Sequence, residues 1–195
     1  MGSDALRKSL IEELNSYQPE DVEELAFKSR FIALVENFEN AASRNLLHGH
    51  LTGSAWIVDS DMSQVLMTHH AKLDRWLQLG GHADGDFNIK NVALREAKEE
   101  SGLNSVRILQ PTIFDIDIHE IPARGAEPAH EHFDIRYLIT ADVSESVVKN
   151  DESKAISWIP LNQLNELTAN NRSIIRMAEK TLMIKGKVPP LWYID

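Results

Sequence analysis

The sequence predicts an α/β (α+β) domain with a mixed β-sheet, preceded by a helical extension. Three observations support this class. Hydrophobic residues recur every three or four positions near both ends of the chain, as they do in amphipathic helices. Between these ends lie short runs rich in β-branched and aromatic residues, as in strands. A single charged helical segment interrupts the runs, so strands precede, flank and follow one central helix.

The N-terminal part of the chain is predicted to be helical. Residues 4–16 and 20–46 carry Leu, Val, Phe and Ile at helical spacing, and Pro19 followed by acidic residues is a favourable helix start. We therefore divide the 195 residues into a helical extension, 1–47, and a main domain, 48–195.

The main domain begins with two predicted strands, LTGSAWIVD and QVLMTHH, which the turn SDMS joins as a hairpin. Residues 89–101 are predicted to be helical. The runs VRILQPTIFDIDIHEI and HFDIRYLITADV then alternate as strands do, and PARGAEPAH connects them. A short strand, AISWIPL, and an amphipathic helix that ends at Gly186 complete the domain.

Composition and charge exclude several kinds of function. The chain has 30 acidic and 20 basic residues, and its net charge of −10 disfavours a surface for nucleic acid or anionic lipid, because such surfaces neutralise phosphates with basic side chains. There is no cysteine, so disulfides, thiolate metal ligands and cysteine nucleophiles are excluded. No apolar stretch approaches the ~18 residues of a membrane span, and no signal-peptide core is present. We expect a cytoplasmic protein without nucleic-acid or membrane partners.

The helical segment 89–101 concentrates carboxylates on one side. Glu96, Glu99 and Glu100 stand at i, i+3 and i+4, which places them on one helical face, where like charges repel by roughly 0.2–0.5 kcal/mol per pair. A solvated surface is one explanation for this pattern. The other is a divalent cation, because hard cations such as Mg²⁺ take oxygen ligands from carboxylates.

Glycines frame the charged helix. Gly80-Gly81 before it allows a tight turn and a close backbone approach, and Gly102 after it is expected to be the helix C-cap. In this setting the segment resembles the box of the Nudix hydrolases. That box reads Gly, five residues, Glu, seven residues, Arg-Glu, an aliphatic residue, any residue, Glu-Glu, any residue, Gly and an aliphatic residue. The positions that match in register are Gly81, Arg95, Glu96, Glu99, Glu100, Gly102 and Leu103.

Two box positions depart from the pattern. Phe87 occupies the place of the first glutamate, and Ala97 is a small member of the aliphatic class. Asp84 and Asp86 lie close by in the sequence and could partly replace the missing carboxylate, which leaves the number of bound metals open. On this interpretation, Phe87→Glu is expected to preserve activity or to raise metal affinity.

The resemblance covers about residues 50–185 and implies a Nudix-type α/β/α sandwich. It implies an enzyme that cleaves the diphosphate bond of a nucleoside diphosphate linked to another moiety, by water attack on phosphorus. Mg²⁺ or Mn²⁺ would be the cofactor, with Glu96, Glu99, Glu100 and the backbone carbonyl of Gly81 as ligands. Arg95 would orient a carboxylate of this set, and Glu99 or Glu100 could act as general base. The expected partner is a small-molecule substrate, and a homodimer is compatible with the resemblance.

Polar residues alternate along the two strands that follow the box. If these strands pair through the loop at 122–129, one face of the sheet gathers the following side chains: Asp115, Asp117, His119, His130, His132, Asp134 and Arg136. A solvent-exposed face would show the same alternation. The density of histidine favours a functional face, and we expect His119, His130, His132 and Asp134 to contact substrate.

Other aromatic and polar residues are weaker candidates for the substrate site. His82 and Asp84 follow the box glycine and are expected to contact metal or phosphate, although a turn-capping Asp is the commoner arrangement. Trp76 is expected either in the core or stacked on a substrate base. The remaining tryptophans are expected in the core or at an interface: Trp56, Trp158 and Trp192.

Two other classes of function remain open. A catalytically weak or inactive Nudix-fold ligand-binding or sensor protein would explain Phe87, but the intact Arg-Glu and Glu-Glu elements favour an enzyme. A structural protein whose N-terminal helices mediate assembly would explain the extension but not the box. The stretch PARGAEPAHEHFD is the expected specificity loop.

Overall fold

Two helices precede the first strand in the computed structural model, which describes residues 2–125, 128–150 and 153–187. Trp192 and residues 126–127 of the expected specificity loop lie outside the described residues. The helices are α1 (Ser3–Ser16), α2 (Val22–Asn37), α3 (Ile89–Ser101), α4 (Leu164–Leu167) and α5 (Arg172–Lys187). The strands are β1 (Gly49–Val58), β2 (Gln64–His70), β3 (Arg75–Leu77), β4 (Leu79–His82), β5 (Arg107–Ile108), β6 (Asp115–Ile121), β7 (His130–Thr140) and β8 (Ser153–Pro160).

The strands form one mixed sheet, as predicted. β1 runs parallel to β7, and the pairs extend from Gly49 opposite Glu131 to Val58 opposite Thr140. Both β2 and β4 pair with β1 in antiparallel fashion, β5 and β6 pair antiparallel with β7, and β3 and β8 pair antiparallel with β2. The predicted hairpin of the first two strands and the predicted pairing of β6 with β7 are therefore confirmed.

Two hydrophobic cores lie on opposite faces of this sheet. Leu51, Ala55 and Ile57 of β1 join the core that includes α1, α2 and α3, whereas Trp56 and Val58 join the core that includes α5. The alternation follows from the two-residue period of a strand, and β1 is buried along its whole length because helices cover both faces. The molecule is thus an α/β/α sandwich, as the sequence predicts.

The charged helix α3 packs unusually close to β1. A Cβ atom at Gly53 would stand 2.9 Å from Cγ2 of Ile89 and 3.0 Å from its carbonyl oxygen, so only glycine permits this approach. The side chain of Asn88 caps the helix by accepting a hydrogen bond from the N–H of Asn91, and Gly102 ends it at φ 70° in the left-handed region. The predicted helix 89–101 is confirmed at both ends.

Helices α1 and α2 share a core with the main domain. Leu14 and Phe31 are fully buried, and the ring of Phe31 meets that of Phe133 edge-on at 5.2 Å. Arg30 of α2 pairs with Glu131 on β7 at 2.6 Å. The boundary at residue 47 stays a prediction, but the helices before it pack directly on the sheet. No helix in the described part of the chain is long and apolar enough to cross a lipid bilayer.

Three predicted elements differ in extent from the observed ones. The helix predicted over 20–46 ends at Asn37, because residues 38–48 turn back so that the carbonyls of Ala41 and Ala42 accept hydrogen bonds from the N–H groups of Leu51 and Gly85. The run predicted as one strand before the loop divides into β5 and β6. The glycines predicted to form a turn before α3 belong instead to a short strand, β4, because β1 offers it a pairing edge.

Candidate active site

The carboxylate face of α3 lies against β4. If Gly81 carried a Cβ atom, that atom would stand 2.6 Å from Cδ and from Oε2 of Glu96. The missing side chain therefore creates the space that the Glu96 carboxylate fills. The glycine and the glutamate are 15 positions apart, and their contact explains physically why the motif needs both.

Hydrogen bonds to β4 fix two of the three carboxylates. Arg95 donates from Nη2 to Oε1 of Glu96 at 2.8 Å and to the carbonyl oxygen of His82 at 3.0 Å. The N–H of Gly80 donates to Oε2 of Glu100 at 3.1 Å. Glu99 is exposed on the same helix face. The arrangement presents carboxylate oxygens from successive turns beside the backbone of β4.

Negative charge at this face is only partly compensated. Burial raises the pKa of Glu96, Arg95 acts in the opposite direction, and the charges of Glu99 and Asp84 add to the rise. An additional cation would relieve this repulsion, and a set made of carboxylate and carbonyl oxygens suits Mg²⁺ or Mn²⁺ rather than softer ions.

The two aspartates near the box do not join this carboxylate face. Asp84 forms a two-pronged pair with Arg44, at 2.7 Å for each hydrogen bond, and Asp86 accepts from the N–H of Asn88 at 2.8 Å. Neither therefore supplies the carboxylate that Phe87 lacks. Asp86 plays the turn-capping part that short acidic side chains often have.

Five histidines gather beside β4, on the face of β1 that also carries Trp56. The ring of His50 lies 5.0 Å from those of His130 and His132 and 5.2 Å from that of His82, while His119 lies 5.5 Å from His132. His130 and His132 approach each other most closely, with 3.3 Å between their Nε2 atoms. Three of these histidines were predicted to share a face, and His82 was predicted separately. His50 was not among the predicted site residues, because it becomes a neighbour of His132 only through the parallel pairing of β1 with β7.

Crowding and burial keep two of these rings neutral near pH 7. Burial lowers the pKa of His50 to about 4, and the neighbouring His82 adds to the effect. The pKa of His132 also falls far below its ordinary value, first through burial and then through His119 and His82. The cluster therefore offers imidazole lone pairs rather than positive charge.

Comparison with known protein families decides the identity of the fold. The NUDIX domain model matches residues 50–178, which include the box glycine, the carboxylate helix and the histidine strands. The chain belongs to the Nudix family. The predictions of family membership, of the Nudix fold and of a Nudix-type enzyme are confirmed at this level.

Solved structures of other Nudix proteins share the fold. A Nudix-family hydrolase from Clostridium perfringens is 27% identical, with a TM-score of 0.52 over 69% of this chain and 97% of that one. A C. elegans Ap4A hydrolase is 14% identical, with a TM-score of 0.57 over 71% and 98%. The E. coli dihydroneopterin triphosphate pyrophosphohydrolase is 19% identical, with a TM-score of 0.53 over 66% and 94%. No curated protein sequence matches this chain.

The Nudix box of this chain differs from the family pattern at Phe87, whose side chain belongs to the core. Phe87 is 4% exposed and packs in the same cluster as Ile89 and Val92 of α3. A glutamate at this position would bury its charge among apolar groups. The burial of Phe87 argues against the expectation that Phe87→Glu preserves activity or raises metal affinity, which stays a prediction.

We instead expect Phe87→Glu to lower the free energy of unfolding by at least about 3 kcal/mol, since it combines lost packing with a buried charge. Urea unfolding measures this loss. Phe87→Leu is the matched control, and it should cost about 1.5 kcal/mol or less because the site stays apolar. A glutamate variant as stable as the wild type would show that residue 87 can turn out of the core.

The polar face predicted for β6 and β7 does form, but its deeper half is a buried ion network. Arg136 donates to Asp134 at 2.8 Å, to Asp115 at 3.0 Å and to Asp117 at 3.2 Å. Asp134 also accepts from Thr52, Ser54 and Gln78, and it is 1% exposed. Its carboxylate thus links β7 to β1, and the part of the polar face that is open to solvent is limited to its outer end.

The remaining aromatic candidate lies on the α5 side of the sheet. Trp76 is half-buried, packs against the core beneath α5 and stacks on His69 with ring centroids 5.1 Å apart. Trp56 is fully buried and donates to Thr181 at 2.9 Å, and Trp158 packs against the other core. These positions agree with the predicted core placement of Trp56 and Trp158.

A cavity of about 540 Å³ lies away from the Nudix box. Its lining comes from the connection between α1 and α2, from residues 110–114 and from α5, and includes Tyr17, Phe114 and Lys180. No box residue lines it. The chemistry that the carboxylates support is therefore located outside this cavity.

Proposed function

We propose that this Nudix protein is a divalent-metal-dependent hydrolase that cleaves the diphosphate bond of a nucleoside diphosphate linked to another moiety, by water attack on phosphorus. The observation that carries the proposal is the close packing of Glu96 on Gly81, with Glu99 and Glu100 on the same helix face. This arrangement concentrates hard oxygen ligands at a place where Arg95 compensates their charge only in part.

Mg²⁺ or Mn²⁺ fits the residues present. The ion would be held by the carboxylates of Glu96, Glu99 and Glu100 and by the carbonyl oxygen of Gly81. Because Gly81 has no side chain, the Glu96 carboxylate already lies against β4, the strand that carries this carbonyl. A bound ion would neutralise phosphate oxygens and lower the pKa of a water molecule.

The protein's own groups supply orientation and a base. Arg95 ties Glu96 to the carbonyl of His82 and so holds the carboxylate against β4, a positioning role. One oxygen of Glu100 is already held by the N–H of Gly80. Glu99 is exposed and accepts no hydrogen bond within the described ranges, so we assign it the role of general base.

Residues around the histidine cluster supply the candidate substrate contacts. His82 continues directly from the box glycine, and His119 is exposed at the outer end of β6, so both can meet a small phosphorylated substrate. Trp76 offers a half-buried ring on which a base can stack. Asp84 and Asp134 are already engaged by Arg44 and by Arg136, and we assign them supporting roles.

The names of two structural neighbours agree with a phosphoanhydride substrate. One is described as an Ap4A hydrolase and the other as a dihydroneopterin triphosphate pyrophosphohydrolase, and both names denote small molecules with phosphoanhydride bonds. Phe87 gives no support to an inactive sensor, because its ring serves the core rather than replacing a ligand in the site.

Turnover of a substrate panel tests the proposal. Nucleotide sugars, dinucleoside polyphosphates and oxidised nucleotides should be incubated in ¹⁸O-water with Mg²⁺, with Mn²⁺, or with a chelator. We expect metal-dependent cleavage of at least one class, with ¹⁸O in the phosphate product. Tight binding without cleavage in every class would support a sensor instead, and cleavage that survives the chelator would contradict the metal requirement.

A further inference from the structure

We propose that His50, His130 and His132 form a second metal site, which takes a zinc-type transition ion and is distinct from the carboxylate site. One ring nitrogen from each histidine can be chosen so that all three lie within 4.8 Å of one another. Three protein ligands leave a fourth position for water, as in open zinc sites.

The closest pair already has the spacing of two ligands on one ion. Zinc–nitrogen bonds of about 2.0–2.1 Å in a tetrahedron place two ligand atoms about 3.3 Å apart. The Nε2 atoms of His130 and His132 are 3.3 Å apart. Small rotations of the His50 ring would complete the set.

Backbone carbonyls orient two of the rings in the way that metal-bound histidines are usually oriented. Nδ1 of His130 lies 3.0 Å from the carbonyl oxygen of Pro128, and Nδ1 of His50 lies 3.5 Å from that of Leu46. A carbonyl oxygen only accepts, so each Nδ1 must carry the proton. The lone pair is then on Nε2, and this is the atom that would bind a metal.

A polar atom of His50 is left without a protein partner. His50 is 1% exposed, and its Nε2 atom makes no hydrogen bond within the described chain. A buried unsatisfied acceptor costs about 1–3 kcal/mol. A simple hydrogen bond between His130 and His132 would explain their 3.3 Å spacing but would leave this atom unsatisfied, whereas an ion bound by all three rings satisfies it.

The two sites differ in the ions that they select. Carboxylate and carbonyl oxygens favour Mg²⁺ and Mn²⁺, whereas imidazole suits zinc, iron, nickel and copper. His82 lies between the sites, because its ring packs on His50 and His132 while its carbonyl accepts from Arg95 beside Glu96. The histidine-bound ion would therefore lie across β4 from the carboxylate face and share none of its ligands.

Cobalt spectroscopy on the full chain, without any nucleotide, tests the site. Co²⁺ should be titrated into metal-free protein, and a four-coordinate histidine site should give intense visible absorption bands that one equivalent of Zn²⁺ removes. His130→Asn and His132→Asn should weaken Co²⁺ binding by more than about 100-fold, since loss of an outer-shell partner alone costs 10–100-fold. Circular dichroism checks that these variants fold.

Two variants serve as controls. His48→Ala removes an exposed histidine two positions from His50, and Glu99→Gln alters the carboxylate site, so both should keep the bands. Excess Mg²⁺ should leave the Co²⁺ absorption bands of the wild type unchanged. Weak octahedral absorption in the wild type, or bands that persist in folded His130 and His132 variants, would overturn the proposal whatever the outcome of the hydrolysis assays.

Discussion

Glu99→Gln and Glu100→Gln should each lower the rate of phosphoanhydride cleavage by roughly two to three orders of magnitude. Metal-based charge stabilisation is worth several kcal/mol, and each 1.36 kcal/mol of barrier is a tenfold change in rate. The amide keeps the size of the carboxylate but removes its charge. For Glu100, the oxygen that accepts from the N–H of Gly80 can still accept in the amide, so the helix should stay in place.

The measurement is kcat as a function of Mg²⁺ concentration, with thermal unfolding to show that each variant folds. Glu12→Gln is the matched control, because Glu12 is an exposed glutamate on α1 and far from α3 in sequence, and it should have wild-type kinetics. Because Glu99 is both a proposed ligand and the proposed base, its variant should lose kcat even at saturating Mg²⁺, whereas Glu100→Gln should regain part of its kcat there. Unchanged turnover in either variant would remove that residue from the site.

Those parts of the site that depend on local sequence could be predicted. The spacing of Glu96, Glu99 and Glu100 determines their common face on any helix, and Gly102 has the left-handed conformation that a helix C-cap requires. The pairing of β6 with β7 also follows from two alternating runs that are close in sequence. Each of these features is set within about 25 residues of chain.

Other parts depend on contacts that are distant in sequence. His50 joins the histidine cluster only because β1 lies parallel to β7, and parallel pairing is not signalled by a turn. The end of α2 at Asn37 depends on loop carbonyls that meet β1 and the segment before α3. The motif alone places Phe87 at a ligand position, because the direction of its side chain, into the core that includes Ile89, is not a property of the motif.

The burial of the polar face has the same kind of origin. Alternation along β6 and β7 predicts that Asp115 and Asp117 share a side, but it does not reveal what covers them. Helix α5 supplies Arg176 and Lys180, which bind Asp115 at 2.9 Å and 2.8 Å, and α2 supplies the buried Glu24. Cations from a helix some 60 residues later thus convert an apparently solvated face into an ion network.

Arg136→Met should therefore lower the free energy of unfolding by about 3–5 kcal/mol, the usual cost of removing one partner of a buried ion pair. Arg136 is 2% exposed and is bound by three aspartates. Burial acts to raise the pKa of Asp117, but the charge of Arg136, followed by the hydrogen bond from His119, holds that pKa well below its ordinary value. Without Arg136, the carboxylates stay buried with less compensation. Urea unfolding at pH 7 measures the loss.

Arg172→Met provides the matched control, because Arg172 is an exposed arginine with two ion pairs, to Asp21 and Glu179, at 2.8 Å each. Exposed pairs contribute only about 0.2–1 kcal/mol each, so this variant should unfold close to the wild type. Comparing the two variants separates the effect of burial on stability from the effect of the number of ion pairs. Equal losses of unfolding free energy in the two variants would mean that the Arg136 network stabilises the protein no more than exposed ion pairs do.

The sign of the pH dependence gives an independent check. A carboxylate whose pKa is depressed in the folded state stabilises the protein above its unfolded pKa, near 3.9 for Asp, and this contribution is lost as pH falls through the folded value. In Arg136→Met the depression of Asp117 is relieved, so the difference from wild type should be full at pH 7 and shrink in acid. Adding Asp117→Asn to Arg136→Met should recover part of the loss at pH 7, because it removes a buried charge that only Arg176 and His119 then compensate, each at 3.4 Å. A double variant that is less stable than Arg136→Met would show that the cost lies in lost packing rather than in uncompensated charge.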